Sequence, residues 1–138
     1  MAINFFVENI EFDLKEKIKV KKWINNMVSS ESKKVGELNY IFCSDDYILN
    51  INREYLAHDY FTDIITFNYN VGKIISGDIF ISIDTVKSNA EKFSNQFNDE
   101  LHRVIIHGAL HLVGFDDTTS QLKLEMTEKE DYYLLQFI

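Results

Sequence analysis

His107 and His111 stand four residues apart, with Gly114 three residues further on and Asp116 and Asp117 just beyond Phe115. In an α-helix four residues turn through about 400°, so the two imidazoles lie about 40° apart on one face. Ring nitrogens placed like this can reach a single ion. Gly114 is a natural helix stop, because only glycine takes up a left-handed terminal conformation cheaply. The chain then turns back, and an oxygen of Asp116 or Asp117 can come to the same point. Two polar rings in a dry helix each need a partner. The chemistry on offer is that of a bound metal ion.

The elements that must position these residues follow from pattern. Residues 3–9 are rich in β-formers and predict a first strand. Asp13, with Glu16 in the capping-box position, predicts the start of a helix that runs to about Ser30. Its apolar stripe would be Leu14, Ile18, Trp23, Ile24, Met27 and Val28. Lys15, Lys17, Lys19, Lys21 and Lys22 cover the rest of it, either as a solvated face with snorkelling stems or as a phosphate-contacting patch. Residues 36–43 alternate as a second strand. Ser44 caps a short helix over 45–56, with Ile48, Ile51, Asn52 and Tyr55 along one side. The apolar residues of 63–69 are bunched, as in an interior strand. A turn over 72–77 leads to a fourth strand over 78–83.

Asp84 is expected to cap a solvent-facing amphipathic helix over 85–94, and Asn98 the helix after it. In that next helix, residues 104–113 are apolar all round except for the two histidines, which is the pattern of a buried helix. Gly108 would leave room there for a neighbouring backbone. A terminal helix over 119–137 would turn Leu122, Met126, Tyr133 and Leu134 inward. The expected fold is α+β, with one four-stranded mixed sheet, about five helices and a zincin-like metal-binding helix, in a single domain over 1–138.

Composition narrows the setting. Hydrophobic residues make up 46% and charged residues 26%, ordinary values for a globular protein. No apolar run approaches the ~20 residues of a membrane span, and the N-terminal residues do not read as a secretory signal. Cys43 is the sole cysteine, so no internal disulfide forms and the cytoplasm is the expected compartment. The net charge of −8, from 14 basic and 22 acidic residues, runs against nucleic-acid binding. An RNA substrate would need a locally basic surface or delivery by a larger partner.

The zincin plan also uses two histidines of one helix and a third ligand from a later turn. In His-Glu-x-x-His the glutamate is the general base. Here that position is Gly108, so a peptidase of this type has lost its base. The wider run, His-Gly-x-Leu-His-Leu-x-Gly-aromatic-Asp followed by a third ligand, resembles the signature of the YbeY family of metal-dependent endoribonucleases. Met126 and Glu130 fall at the family's spacing downstream. Upstream, Asn52-Arg-Glu-Tyr55, the block from Asp59 through Thr62 and Asp63 to Phe67, and Gly77-Asp78-Ile79 resemble further blocks, so the likeness runs from about Asn52 to Glu130.

That resemblance implies a zinc ion, one per chain, held by His107, His111 and Asp117. It also implies hydrolysis of single-stranded ribosomal RNA by a metal-held water or a polarised phosphoryl oxygen, with ribosomal subunits or assembly factors as partners. No membrane is implied and no oligomer is indicated. The sequence departs from the family twice. The third ligand is Asp117 where histidine is usual, which lowers the charge of the loaded site by one and makes iron or manganese more acceptable. Asp116 matches a non-ligating aspartate and is expected in the turn. Leu56 stands where an arginine is usual, leaving Arg53, Arg103 and His58 as candidate cations for the substrate phosphate. The alternative readings are a ribosome-assembly protein with a structural metal, and a metal-dependent hydrolase of another substrate.

Overall fold

The computed structural model describes residues 2–56 and 62–137. The elements run β1 (Ala2–Glu8), α1 (Lys17–Ser30), β2 (Lys34–Cys43), α2 (Asp45–Leu56), β3 (Ile64–Asn68), β4 (Ile74–Ser82), α3 (Ile83–Lys92), α4 (Phe97–Val113) and α5 (Ser120–Leu134). The sheet order is β1-β2-β4-β3. β1, β2 and β4 are parallel, and β3 closes the sheet antiparallel to β4. This is the expected α+β arrangement with a mixed four-stranded sheet and five helices among the described residues. None of those helices is long and apolar enough to cross a membrane.

Strand alternation divides the side chains between two faces. Leu38, Tyr40, Phe42, Ile75, Ile79 and Ile81 are buried in the main core with Val20, Ile24 and Met27 of α1 and Ile105, Ala109 and Leu112 of α4. The Tyr40 hydroxyl donates to the Ile105 carbonyl at 2.9 Å and pins α4 across the sheet. On the other face a smaller cluster, Cys43, Ile48 and Ile65, lies under α2. Beside it Asn4, Asn39 and Asp78 form a hydrogen-bonded ladder across β1, β2 and β4.

Several local expectations give way to tertiary contacts. Asp13 does not cap α1: the helix begins at Lys17, after Glu16 in a left-handed conformation, and Asp13 pairs with Lys15 and Lys17 instead. Leu14 is buried before the helix starts, and Ile18 is 74% exposed rather than part of the apolar stripe. Of the basic cluster, Lys19 lies 3.6 Å from Glu16 and over the Phe137 ring, and Lys21 lies over Phe5. Two acids, Asp13 and Glu16, thus stand against five lysines. Ser44 does cap α2, accepting from Tyr47 N–H. β3 is an edge strand, not an interior one. Its apolar residues are bunched because Ile64 meets α4 on one face while Ile65 joins the cluster beneath α2 on the other.

β4 begins at Ile74, so Gly77 is inside the strand. Ser82, not Asp84, caps α3. The Asp84 carboxylate accepts from Asp45 N–H, while Asp45 accepts from the Ser82 and Thr85 hydroxyls, so the starts of α2 and α3 are tied together. α3 buries Ile83, Val86 and Ala90. α4 starts at Phe97 without the Asn98 cap. Asn98 therefore lies inside the helix it was expected to begin.

Candidate metal centre

α4 and the turn that follows it build the site. The helix ends at Gly114, whose φ of 119° is the left-handed conformation expected of that glycine. Gly114 N–H donates to the His111 carbonyl and Phe115 N–H to the Leu110 carbonyl, which closes the last turn. Asp116 belongs to the turn, as expected. Its Oδ1 accepts from the Asp117 N–H at 2.8 Å. That bond sets the direction in which Asp117 returns toward the helix.

Three donor atoms converge there. The Nε2 atoms of His107 and His111 are 3.0 Å apart, and Asp117 Oδ2 lies 3.5 and 3.7 Å from them. Donors about 2.0–2.1 Å from a tetrahedral zinc ion stand about 3.3–3.4 Å from one another. A triangle of the observed size therefore fits around one ion with small side-chain adjustments. Among the described residues, His107, His111 and Asp117 form the cluster able to hold a metal, and no fourth His, Cys, Asp or Glu completes it.

The tautomer of His107 suits this role. Its Nδ1 lies 2.6 Å from Oε2 of Glu130, a residue only 6% exposed. A carboxylate has no proton to give, so Nδ1 donates and Nε2 keeps its lone pair toward the cluster. Glu130 Oε1 is held in turn by Arg103 Nη1 at 2.7 Å, and Arg103 Nη2 reaches Asp131 at 2.6 Å. The chain Asp131–Arg103–Glu130–His107 locks α5 to α4 and orients one ring. Arg103 is thus a structural partner of Glu130, not a cation turned toward a substrate.

Electrostatics follow from this crowding of carboxylates. Burial works against protonation of His107, but the hydrogen bond and charge of Glu130, with the charges of Asp117 and Asp63, override it and raise its pKa. Burial pushes the Asp63 carboxyl above its usual range, against the attraction of His107, and the charges of Asp117 and Glu130 push it further. Asp63, named in the sequence only as part of the block from Asp59 to Phe67, joins this neighbourhood through its charge. It directly precedes β3, whose Ile64 abuts α4.

A Cβ at position 108 would point at Ile64 Cδ1 and Ile79 Cγ2, each 2.9 Å away. Side chains of the sheet, rather than the expected backbone, fill the space that glycine leaves. Position 108 therefore faces the sheet, and a glutamate there would be pressed against isoleucines.

A cavity of about 440 Å³ opens between His107 and Asp117 on one side and Ser120, Lys123, Thr127 and Glu130 of α5 on the other. A larger one, about 630 Å³, lies by Glu31, Phe115 and Lys129 and includes none of the three donors. The donors, not the volume, mark the site. Arg53 is exposed in the last turn of α2, and His58 lies outside the described residues.

Comparison with known proteins agrees with this geometry. A family model described as Endoribonuclease YbeY matches residues 3–138. A protein of Parabacteroides distasonis named Endoribonuclease YbeY is 50% identical over 131 residues, covering 95% of this chain and 92% of that protein. A Phocaeicola vulgatus protein of the same name is 55% identical over 116 residues, covering 83% of each chain. The solution structure of TM1509 from Thermotoga maritima superimposes with a TM-score of 0.70 at 31% identity, covering 99% of this chain and 89% of that one. The mixed sheet, the two-histidine helix and the match along nearly the whole chain agree: this protein belongs to the endoribonuclease YbeY family.

Proposed function

We propose that the chain is a metal-dependent endoribonuclease that hydrolyses phosphodiester bonds of single-stranded ribosomal RNA during its maturation. His107, His111 and Asp117 are assigned as ligands of a single zinc ion. The one observation that carries the reading is the three-atom triangle, with Glu130 fixing the His107 tautomer. The relatives named as endoribonucleases supply the reaction class. When bound, the ion supplies Lewis-acid activation of water and of the phosphoryl oxygen. The protein's own part is to hold two neutral imidazoles and one carboxylate on a stiff buried helix and a closed turn, and to leave a cavity beside them for the scissile phosphate.

Three protein donors with an adjacent cavity favour an open catalytic site over a closed structural one. Asp117 in place of a third imidazole keeps manganese and iron within reach of the same set. Ribosomal subunits or assembly factors are the proposed partners and would deliver RNA to a protein of net charge −8. The cytoplasm is the proposed compartment, in keeping with the lone buried Cys43.

The purified chain is expected to bind a single divalent ion and to cleave single-stranded RNA, and His111→Ala to lose both. Equal cleavage by wild type and His111→Ala would mean that the nuclease is a contaminant.

A further inference from the structure

Hydrolysis of a phosphodiester builds negative charge on the non-bridging oxygens, and a fixed cation beside them lowers the barrier. Carboxylates crowd the ring of His107: Asp117 is one of the three donors, and Glu130 is hydrogen-bonded to Nδ1. Arg103 is committed to Glu130 and Asp131. On α5, Lys129 is held by Glu31 at 3.0 Å and lines the other cavity.

Lys123 is differently placed. Ser120, Lys123, Thr127 and Glu130 follow one another at intervals of three, four and three residues, so they form one stripe along α5. That stripe is the wall of the cavity that also contains His107 and Asp117. Its lower end, Glu130, holds a ligand ring. Further up, Lys123 is exposed and makes no ion pair with any described residue, so its ammonium is available to the cavity.

We propose that Lys123 is a catalytic residue of this chain, its ammonium contacting a non-bridging oxygen of the scissile RNA phosphate. It thus provides a cation on α5 in a protein that has Leu56 on α2. The assignment rests on the reading of His107, His111 and Asp117 as the nuclease centre. A lysine suits the place, because three rotatable donors on a flexible stem can follow the phosphate as its geometry changes.

The test uses the zinc-loaded 138-residue chain and a single-stranded RNA oligonucleotide. Lys123→Ala is expected to lower kcat by about 10²–10³-fold, the scale seen for loss of one oxyanion donor. KM should change much less, and bound zinc and melting temperature should not change. Lys123→Arg should recover most of the rate. Lys33→Ala, in the turn before β2, should leave kcat as it is and so separates the contact from loss of general charge. Lys123→Met, which keeps the apolar stem, repeats the test without a packing defect.

Cleavage that depends on His111 yet survives Lys123→Ala and Lys123→Met overturns the Lys123 assignment alone. Loss of zinc or of folding in both variants overturns it too, because the effect then runs through the structure. Equal cleavage by wild type and His111→Ala removes the nuclease centre, and the assignment with it.

Discussion

Glu130 does two things with one carboxylate: Oε2 fixes the proton of His107 and Oε1 neutralises Arg103. Partners of this kind typically carry about 10–100-fold in metal affinity. Glu130→Ala should weaken zinc binding by that factor, as measured by competition with a chelating indicator. An unchanged affinity would show that packing alone orients the ring. The same carboxylates give the site its pH dependence. Because they raise the pKa of His107 in the metal-free protein, the ring is protonated over a wider range, and that proton competes with the ion. Zinc affinity should therefore hold at high pH and fall on acidification, starting above the ordinary histidine value of 6.5. Titration of affinity against pH in wild type and Glu130→Ala should show the fall displaced to lower pH in the variant.

Among the elements, β3 and α4 decide how closely the site can be held. Gly77 faces Asn68 across the β3–β4 ladder, and a Cβ there would collide with the Phe67 carbonyl oxygen and touch Leu112 of α4 at 3.1 Å. The blocking atom is backbone, so it cannot turn aside. Gly77→Ala should cost about 1–3 kcal/mol, the usual range for overpacking, read from urea unfolding. Wild-type stability in that variant would mean that β3 can slide. The apolar surround of α4 was legible as helical periodicity. That β3 sits at the edge was not, because bunched apolar residues mark burial on two faces and say nothing about strand neighbours.

At the level of the whole molecule, aromatic side chains of α1 and α4 hold the C-terminal segment in place. Trp23 of α1 donates its indole N–H to the Tyr133 carbonyl at 2.8 Å, and His102 of α4 stacks on Phe137 with ring centroids 4.2 Å apart. Burial lowers the pKa of His102, partly countered by Asp99 and Glu16. The unfolded chain therefore takes up the proton more readily, and folding stability falls as pH drops through the unfolded value toward the folded one. Wild type should lose more stability between about pH 7 and 5 than His102→Phe, which has no such group. Equal losses in urea titrations would remove His102 from the account.

The sequence by itself determined the pairing of His107 with His111 on one helix face, the helix stop at Gly114 and the absence of a peptidase base at Gly108. These are matters of residue type at short spacing, and helical geometry turns spacing directly into direction. The family was legible too, through several blocks spread from Asn52 to Glu130. Tertiary structure alone decided the rest. The clearest case is Arg103, a free cation by sequence, whose two terminal nitrogens are both occupied by α5. Asp63 reaches the site only because β3 packs beside α4, and Asp84 caps the neighbouring helix instead of its own. Lys123 shares a cavity with His107 across two helices joined by a six-residue turn. A partner's identity depends on which segments the core brings together, and no local pattern along the chain encodes that.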